Sequence, residues 1–272
     1  PPPLDSSAAS DVYKRQEPTL NDDGVMDFIA SGYVVLEGLI EDDVNRRCLD
    51  QPGGNADGFI GGEDFTRRVL LHPQIAGVAR SLLGKNFLVP QGGHHHLFSA
   101  PYLGQTWHSD GLSGQGYEVS ELQCYYYPHG VEIEDGPTMV LPGSHCRAVD
   151  REAIAHYGDI VGQVSLVVPA GTVVMTRYGI WHKAGPKTNA RPRSMFKFSY
   201  HRQAEPVRDW RIDDAEIPPY RDRARLPYVT EVESYRDRVR RMRTWNWLCG
   251  LDGEVALRWE RSRPVEELLS AR

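Results

Sequence analysis

The sequence predicts a mainly β protein, an antiparallel sandwich or barrel with flanking helices. Three observations lead to this fold class. From about residue 86 onward, short runs of β-branched and aromatic residues alternate with Gly and Pro, as in antiparallel all-β architectures. Before that point, apolar residues recur at helical spacing. The length of 272 residues suits one large domain of this kind.

The first sixteen residues are predicted to be an appended segment. The stretch PPPLDSSAASDVYKRQ has almost no apolar periodicity, and its second part resembles a translated sequencing adapter. A natural disordered arm is the alternative. We therefore predict one domain over residues 17–272, with a core at about 86–202 and a C-terminal helical appendage at about 203–272.

The part of the chain before the core is predicted to contain helices around one strand. Helical spacing or capping signals mark residues 22–29, 42–49 and 65–83, and a β-branched run marks a strand at 33–36. Pro73 divides the third helical segment in two. Residues 51–63 are rich in Gly and Asn with little to bury, so they are predicted to form a flexible loop that can act as a lid.

The core is predicted to contain short strands. They are expected at residues 87–90, 94–100, 122–127, 138–141, 163–168, 172–176 and 193–200. Beyond the core, residues 232–248 have the spacing of an amphipathic helix. Three tryptophans, Trp245, Trp247 and Trp259, are expected to dock this tail over the barrel, where it would form one wall of a substrate pocket.

Composition favours small-molecule partners. The net charge of -6, with 25% charged residues, provides no global basic field for nucleic acid or an anionic membrane. The arginine-rich run 235–243 is predicted to be a solvated helix face with neighbouring acids and not a nucleic-acid stripe. No run approaches the roughly 18 apolar residues of a membrane span. The sequence does not indicate an oligomeric state.

Four cysteines lie far apart with no C-x-x-C pair, so neither a zinc ribbon nor a dithiol redox motif is indicated. Reduced thiols are the default for such a chain. The N-terminus also lacks the apolar stretch of a secretory signal. We therefore predict a cytoplasmic protein.

The residues His108-Ser109-Asp110, followed much later by His182, predict a metal site. A histidine and a carboxylate two residues apart point to the same side of a strand. A second histidine from a distant strand completes a two-His, one-carboxylate set with open coordination positions, as in non-haem Fe(II) oxygenases. By itself a His-x-Asp pair is weak evidence for a metal site, because such pairs also occur by chance. The surrounding sequence strengthens this evidence.

That setting resembles the phytanoyl-CoA dioxygenase-like family. The similarity begins at 28–38 (FIASGYVVLEG), continues through Trp107-His108-Ser109-Asp110, and includes 134–145 (EDGPTMVLPGSH). It ends with 170–172 (AGT) and 181–186 (WHKAGP). These motifs occur in the family's order and spacing from about residue 25 to residue 200.

The resemblance implies a double-stranded β-helix, or jelly roll, of cupin-like form. It also implies Fe(II), 2-oxoglutarate and O2 as cofactor and co-substrates, with His108, Asp110 and His182 as metal ligands. Arg193, eleven residues after His182, matches the family's arginine for 2-oxoglutarate. Tyr125 and Thr138 are secondary candidates for the co-substrate pocket, with ordinary strand packing as the alternative.

Charge explains why an arginine is needed. Fe(II) with two neutral imidazoles and one carboxylate carries +1, and 2-oxoglutarate adds -2, so a fixed cation offsets the excess. The planar guanidinium binds a carboxylate bidentately and stays ionised when desolvated. Arg191 is a rival, but Pro192 cannot donate to a sheet ladder, so the regular strand is expected to begin at Arg193.

Three further side-chain groups have less specific interpretations. Lys197 shares strand parity with Arg193 and is expected either to replace a co-substrate lysine that some relatives carry near residues 99–100 or to meet an anionic substrate. His94 and His96 share a strand face and are expected to line a pocket and not to form a second metal site. His145 is expected to order the Pro-Gly-Ser turn.

The favoured activity is hydroxylation of a small-molecule metabolite with release of succinate and CO2. Related halogenases replace the metal-binding carboxylate with a small residue, and here Asp110 is present. Two alternatives remain: a cupin-like metalloprotein with non-oxidative chemistry, in which Arg193 is incidental, and a catalytically silent binding module. The sequence does not determine the substrate.

Overall fold

A computed structural model describes residues 17–111, 116–147, 152–212 and 215–251. Its helices are α1 (Asp22–Ser31), α2 (Asp42–Leu49), α3 (Asp57–Ile60), α4 (Glu63–Phe65), α5 (Pro73–Leu83) and α6 (Glu231–Leu248), with a π-helical turn at Thr66–Leu70. Short 3-10 turns lie at Ile133–Asp135, Ser144–Cys146 and Ala153–His156. The predicted appended segment 1–16 and Trp259 lie outside the described residues.

The strands form two antiparallel sheets. They are β1 (Tyr33–Leu36), β2 (Gly54–Asn55), β3 (His94–Phe98), β4 (Glu121–Tyr127), β5 (Thr138–Val140), β6 (Val164–Ser165), β7 (Thr172–Arg177), β8 (His182–Ala184) and β9 (Arg193–His201). The larger sheet has the order β1-β7-β4-β9-β3-β2, and the smaller has the order β6-β5-β8. One buried apolar cluster contains side chains from both sheets, including Tyr125, Met195 and Val140. The mainly β jelly roll is therefore confirmed.

Strand β4 shows how the larger sheet separates two interiors. Tyr125 and Tyr127 belong to the cluster between the sheets, whereas Cys124 and Tyr126 belong to the core that contains the helices. Successive side chains of a strand point to opposite faces, so Gln123 faces the same interior as Tyr125. The side of β4 that faces the smaller sheet therefore carries polar groups into the barrel.

Helix α1 begins where the sequence predicts and extends two residues past the predicted end, while α5 begins at Pro73 and ends at Leu83 as predicted. The Asn21 side chain caps α1 by accepting a hydrogen bond from the Gly24 N–H at 3.0 Å. Gly32 ends α1 in the left-handed conformation at φ 85°. Pro73 occupies the first turn of α5, where its missing N–H is not needed.

The predicted flexible loop at 51–63 is wrong, because this stretch contains β2, α3 and the start of α4. Its short polar side chains order the backbone. The Asn55 side chain accepts a hydrogen bond from the Asp57 N–H at 3.0 Å, and Asp57 accepts one from the Gly93 N–H at 2.9 Å. Ile60 is completely buried and anchors α3 in the core.

The predicted strand at 87–90 is also wrong. Only Leu88 pairs with the sheet, through an isolated bridge to the backbone of His201. Pro90 has no N–H to donate, and the following Gln91-Gly92-Gly93 segment leads directly into β3. The apolar run therefore contributes two buried residues, Phe87 and Pro90, and one bridge instead of a full strand.

The C-terminal tail docks on the domain through α6, which confirms the predicted helix. A capping box between Thr230 and Glu233 begins the helix. Trp245 is 1% exposed and donates from its indole N–H to the Pro218 carbonyl at 3.0 Å. Its ring lies 5.6 Å from that of Trp210. The helix packs on α1 and on the turn Ser144–Cys146.

The arginine-rich face of α6 is only partly solvated. Arg236 and Arg243 are exposed, as predicted. Arg241 is 1% exposed and pairs with Asp222 at 2.8 Å, so the prediction of a solvated face is wrong for this residue. A buried guanidinium needs such a partner, because an unpaired charge is costly to desolvate.

Across the described parts of the chain, every helix is too short or too polar to cross a bilayer. Cys48, Cys124, Cys146 and Cys249 are all buried and free.

We predict that Gly32→Ala destabilises the protein by about 1–3 kcal/mol. A Cβ at this position would lie 2.3 Å from the His145 ring, in addition to the strain of the positive φ. Urea unfolding measures the loss. Gly58→Ala is the matched control, since a Cβ there meets nothing within 4 Å. Equal stability of the two variants would contradict the expected role of Gly32.

Candidate metal centre

His108 and His182 are joined through their backbones. The His108 N–H donates to the His182 carbonyl at 3.0 Å, and the His182 N–H donates to the His108 carbonyl at 2.9 Å. The two rings are consequently 4.3 Å apart. His182 begins β8, whereas His108 forms only this isolated bridge, so the prediction that the His108–Asp110 pair lies on a strand is wrong.

The chain turns sharply after His108, which explains the missing strand. The Ser109 hydroxyl is buried and donates to the Gly111 carbonyl at 2.6 Å and lies 3.2 Å from the Gly179 carbonyl. These contacts hold the turn against the segment that precedes β8. Asp110 is thereby directed toward the two imidazoles.

His108, Asp110 and His182 together offer three ligand atoms within 4.8 Å of one another. The Asp110 Oδ2 and His182 Nε2 atoms are 3.5 Å apart. This is the one group of three or more metal-binding side chains found within the described residues. Two imidazole nitrogens and one carboxylate oxygen form the donor set that suits Fe(II), so the residues fit the ion that the sequence predicts.

The backbone selects the tautomer of both histidines. The Nδ1 atom of His108 lies 2.9 Å from the Thr106 carbonyl, and that of His182 lies 3.1 Å from the Ile180 carbonyl. A carbonyl only accepts, so each Nδ1 carries the proton and donates. Each Nε2 is therefore left with its lone pair for a metal.

Local electrostatics keep the ligands in their metal-binding protonation states. Burial, assisted by His108, lowers the pKa of His182 to about 4. Burial alone would raise the pKa of Asp110, but its interactions with His182 and Lys197 and a hydrogen bond from Gln123 outweigh burial and hold that pKa at about 2. At neutral pH the site offers a neutral His182 imidazole and an ionised carboxylate.

Two side chains hold Asp110, and neither was predicted to contact it. Gln123 was not a candidate residue, and Lys197 was expected to meet the co-substrate or an anionic substrate. Gln123 donates to Asp110 Oδ2 at 2.8 Å and accepts from the Tyr125 hydroxyl at 2.6 Å. Lys197 forms an ion pair with the same oxygen. The alternation along β4 is the signal that could have found Gln123, because it shares a face with Tyr125.

Arg193 is a buried cation that lacks a carboxylate. Arg193 is 2% exposed, and its Nη2 donates to Thr138 Oγ1 at 2.7 Å. Its Nε has no hydrogen-bond partner, and no ion pair joins it to another described residue. Its guanidinium lies 5.6 Å from the centre of the Phe98 ring. A desolvated guanidinium with an unused donor is suited to an anionic ligand.

Arg191 does not line the cleft that contains Arg193. Its side chain is about half exposed and forms an ion pair with the completely buried carboxylate of Asp135. Asp135 in turn accepts a hydrogen bond from Asn189 at 2.9 Å. Arg191 is thus used to neutralise a buried acid, and Arg193 is the arginine that lines the same cleft as His108 and His182.

Tyr125 and Thr138 line the same narrow cleft as His108, His182 and Arg193. The cleft has a volume of about 40 Å³, which is space for only a few water molecules. Thr138 also accepts from the Tyr127 hydroxyl at 2.9 Å, so its oxygen is oriented by two donors. The structure therefore brings together all six residues that the sequence analysis selected: His108, Asp110, Tyr125, Thr138, His182 and Arg193.

A wider groove of about 820 Å³ opens beside Asp110. His94 and His96 line it with ring centres 4.6 Å apart, which confirms their shared face and pocket-lining position. The side chain of Lys197 borders both the groove and the cleft. No described residue of the C-terminal tail lines the groove, and α6 packs on α1, so Trp245 and Trp247 do not form the predicted wall.

His145 has a structural position away from the metal ligands. It is 8% exposed, and its Nε2 donates to the Ile29 carbonyl at 3.1 Å. This contact holds the Ser144–Cys146 turn against the end of α1. The prediction that His145 orders the turn agrees with this position.

Comparison with protein families adds an independent observation. The family model described as phytanoyl-CoA dioxygenase (PhyH) matches residues 39–195, more than half of the chain. The chain belongs to the phytanoyl-CoA dioxygenase family. It is an oxygenase that depends on Fe(II), 2-oxoglutarate and O2, as the sequence predicts. Among curated proteins, none matches the sequence.

Solved structures share the fold at low sequence identity. The 2-oxoglutarate-dependent carbocyclase SnoK from nogalamycin biosynthesis is 21% identical with a TM-score of 0.53, over 68% of this chain and 87% of its own. HygX from Streptomyces hygroscopicus, solved with nickel and 2-oxoglutarate, is 16% identical with a TM-score of 0.53, over 79% and 99%. EctD from S. alaskensis is 19% identical with a TM-score of 0.54, over 79% and 91%.

We predict that Ni(II) raises the melting temperature of the wild-type protein and that Asp110→Ala abolishes the increase. Binding to the folded state alone contributes about 2.7 kcal/mol at one hundred times the Kd. Differential scanning fluorimetry measures the shift. His94→Ala is the control, because it disrupts the histidine tract and leaves the three ligands intact. A shift lost in His94→Ala and kept in Asp110→Ala would place the metal on the tract instead.

Proposed function

We propose that this protein hydroxylates a small-molecule metabolite in an Fe(II)- and 2-oxoglutarate-dependent reaction that releases succinate and CO2. The observation that carries the proposal is the complete set of two histidines and one carboxylate beside a buried, anion-seeking arginine. The four free, buried cysteines support a cytoplasmic setting.

Three side chains would hold the iron. His108 and His182 would bind through Nε2, since their Nδ1 atoms are committed to backbone carbonyls. Asp110 would supply the anionic ligand, with Gln123 restraining its orientation. Bound iron and 2-oxoglutarate would activate dioxygen for oxidation of a substrate C–H bond, with decarboxylation of the 2-oxoglutarate. The protein's part is to hold these groups in position and to limit access of water.

Arg193 would bind the far carboxylate of 2-oxoglutarate. It lines the same cleft as the two histidines, and its Nη2 is held by Thr138. The Thr138 hydroxyl and the phenol of Tyr125 would supply further polar contacts along the cleft. The positive charge of Arg193 brings the combined charge of ligands, iron and 2-oxoglutarate to zero, which supports binding in a desolvated site.

The groove beside Asp110 would receive the substrate. Asp110 lines this groove, so a molecule bound there would lie next to the metal. The presence of Asp110 supports hydroxylation over halogenation, since no ligand position is vacated for a halide. Solved structures of this fold include a carbocyclase and a monooxygenase, so the outcome of the oxidation is the part of the proposal that most needs a direct product assay.

We predict that anaerobic addition of Fe(II) and 2-oxoglutarate produces a metal-to-ligand charge-transfer absorption band, and that Asp110→Ala lacks it. The band requires iron and 2-oxoglutarate bound to each other in the site. Absorption spectroscopy in an anaerobic cuvette measures it. No band in the wild type would contradict the proposal and favour a metalloprotein with non-oxidative chemistry or a silent binding module.

A second prediction separates the two neighbouring arginines. Arg193→Met is expected to raise the KM for 2-oxoglutarate by at least about tenfold, because a charge-assisted contact to the far carboxylate is lost. Succinate release measures the change. Arg191→Met should leave this KM unchanged and instead lower the free energy of unfolding, because Asp135 loses its cation. Equal KM values in the two variants would exclude the assigned role of Arg193.

The substrate can be sought with the same assay. A metabolite extract that contains the substrate should raise succinate release above the uncoupled background, and mass spectrometry should show a product heavier by one oxygen atom. A desaturated or cyclised product would replace hydroxylation with another oxidative outcome.

A further inference from the structure

Lys197 occupies the boundary between the two spaces of the site. It extends from β9 opposite Tyr125 of β4, and its side chain is 22% exposed. Its ammonium forms an ion pair with Asp110 Oδ2, and its side chain lines both the narrow cleft and the wide groove. A cation in this position would lie beside a divalent metal ion.

The oxygen that Lys197 contacts is also the one that faces His182. Asp110 Oδ2 is 3.5 Å from His182 Nε2 and already accepts from both Gln123 and Lys197. A carboxylate oxygen has two lone-pair directions, so a metal at Oδ2 must replace one of these donors. Gln123 is itself held by the Tyr125 hydroxyl at 2.6 Å. Lys197 has a flexible four-carbon stem and is repelled by the metal.

The small volume of the cleft also supports displacement of Lys197 from Asp110. Its volume of about 40 Å³ has space for only a few water molecules, fewer than the ten non-hydrogen atoms of 2-oxoglutarate require, and Lys197 forms part of its wall. Movement of this side chain toward the groove widens the cleft without disturbing a backbone hydrogen bond of β9. The same movement therefore frees the carboxylate and makes room for the co-substrate.

We propose that Lys197 exchanges partners when the metal binds, leaving Asp110 for the groove, where its ammonium anchors a carboxylate of the substrate. The inference rests on the proposed function and adds the substrate class, an anionic metabolite. Iron with Asp110 carries +1, 2-oxoglutarate carries -2 and Arg193 carries +1. These charges sum to zero, so the ammonium of Lys197 gives the site a net charge of +1. One substrate carboxylate neutralises this charge.

The groove offers no second acid close to the released ammonium. Among the described residues that line it, the acids are Asp110 and Glu121. Asp110 would be occupied by the metal. Glu121 is paired in register with His201, four positions along β9 from Lys197, which is about 13 Å of strand. We therefore expect the counter-ion to come with the ligand.

The first test is the affinity for Ni(II), measured by isothermal titration calorimetry. We expect Lys197→Met to bind Ni(II) about tenfold or more tightly than wild type, because a competing and repelling cation is gone. Lys197→Arg retains the charge and should stay close to wild type. Equal or weaker binding by Lys197→Met would overturn the exchange and indicate that Lys197 permanently positions Asp110. Thermal unfolding confirms that each variant is folded.

The second test follows the amine directly. Reductive methylation with mass spectrometry should label Lys197 slowly in the metal-free protein and several-fold faster once Ni(II) is bound. Lys183, which is paired with Asp159 outside the site, is the internal control, and its labelling should not respond to Ni(II). Unchanged labelling of Lys197 would overturn the exchange.

The third test concerns the anionic class of the substrate. Protein loaded with Ni(II) and 2-oxoglutarate is incubated with a pool of metabolite carboxylic acids and their methyl esters, and retained compounds are identified after ultrafiltration. Wild type should retain acids over the matching esters by at least about tenfold. Lys197→Met should lose this preference, and Lys197→Arg should keep part of it. Equal retention of esters, or no retained acid, would contradict the anchor.

These outcomes separate the inference from the proposed function. A wild-type protein that binds no Ni(II) and shows no charge-transfer band would contradict the metal centre itself. A wild-type protein that forms the band, but whose metal affinity and Lys197 labelling do not respond as expected, would keep the proposed oxygenase and remove only the role of Lys197.

Discussion

The paired backbone hydrogen bonds between His108 and His182 are the interaction on which the site depends. They bring two distant parts of the chain side by side, so that the imidazoles lie 4.3 Å apart at one point of the barrel interior. The carbonyls two residues before each histidine then fix the tautomers. Ser109 turns the chain so that Asp110 joins them. The mutual placement of the three metal-binding side chains follows from this bridge.

Around the bridge, the interior of the barrel holds charges that the protein alone balances incompletely. Arg193 is desolvated without a carboxylate, while Asp110 is shared between Gln123 and Lys197. Such groups are costly to bury unless ligands complete them. By contrast, Arg191 and Asp135 neutralise each other within the fold. The contrast between paired and incompletely paired buried charges distinguishes the ligand-binding interior from the structural ion pairs.

Much of the local structure could be predicted because it depends on short-range chemistry. The Asn21 cap, the left-handed Gly32 and Pro73 in the first turn of α5 each follow from one residue type at one position. Runs of β-branched and aromatic residues bounded by Gly and Pro also predicted most strands. Prediction was wrong at 51–63, where Asn55 and Asp57 order the backbone and a single buried Ile60 anchors a helix. It was wrong at 87–90, where one bridge replaces a strand.

The sequence by itself predicted the chemical identity of the site. Strand parity joined one histidine to the carboxylate, and the family's spacing from His182, together with the absence of an N–H at Pro192, selected Arg193. Only the tertiary structure decided what surrounds them. Gln123 and Lys197 reach Asp110 because β4 and β9 are neighbours in the larger sheet, a pairing between strands far apart in sequence. Local spacing specifies which face a side chain occupies, whereas strand order specifies which other side chains share that face.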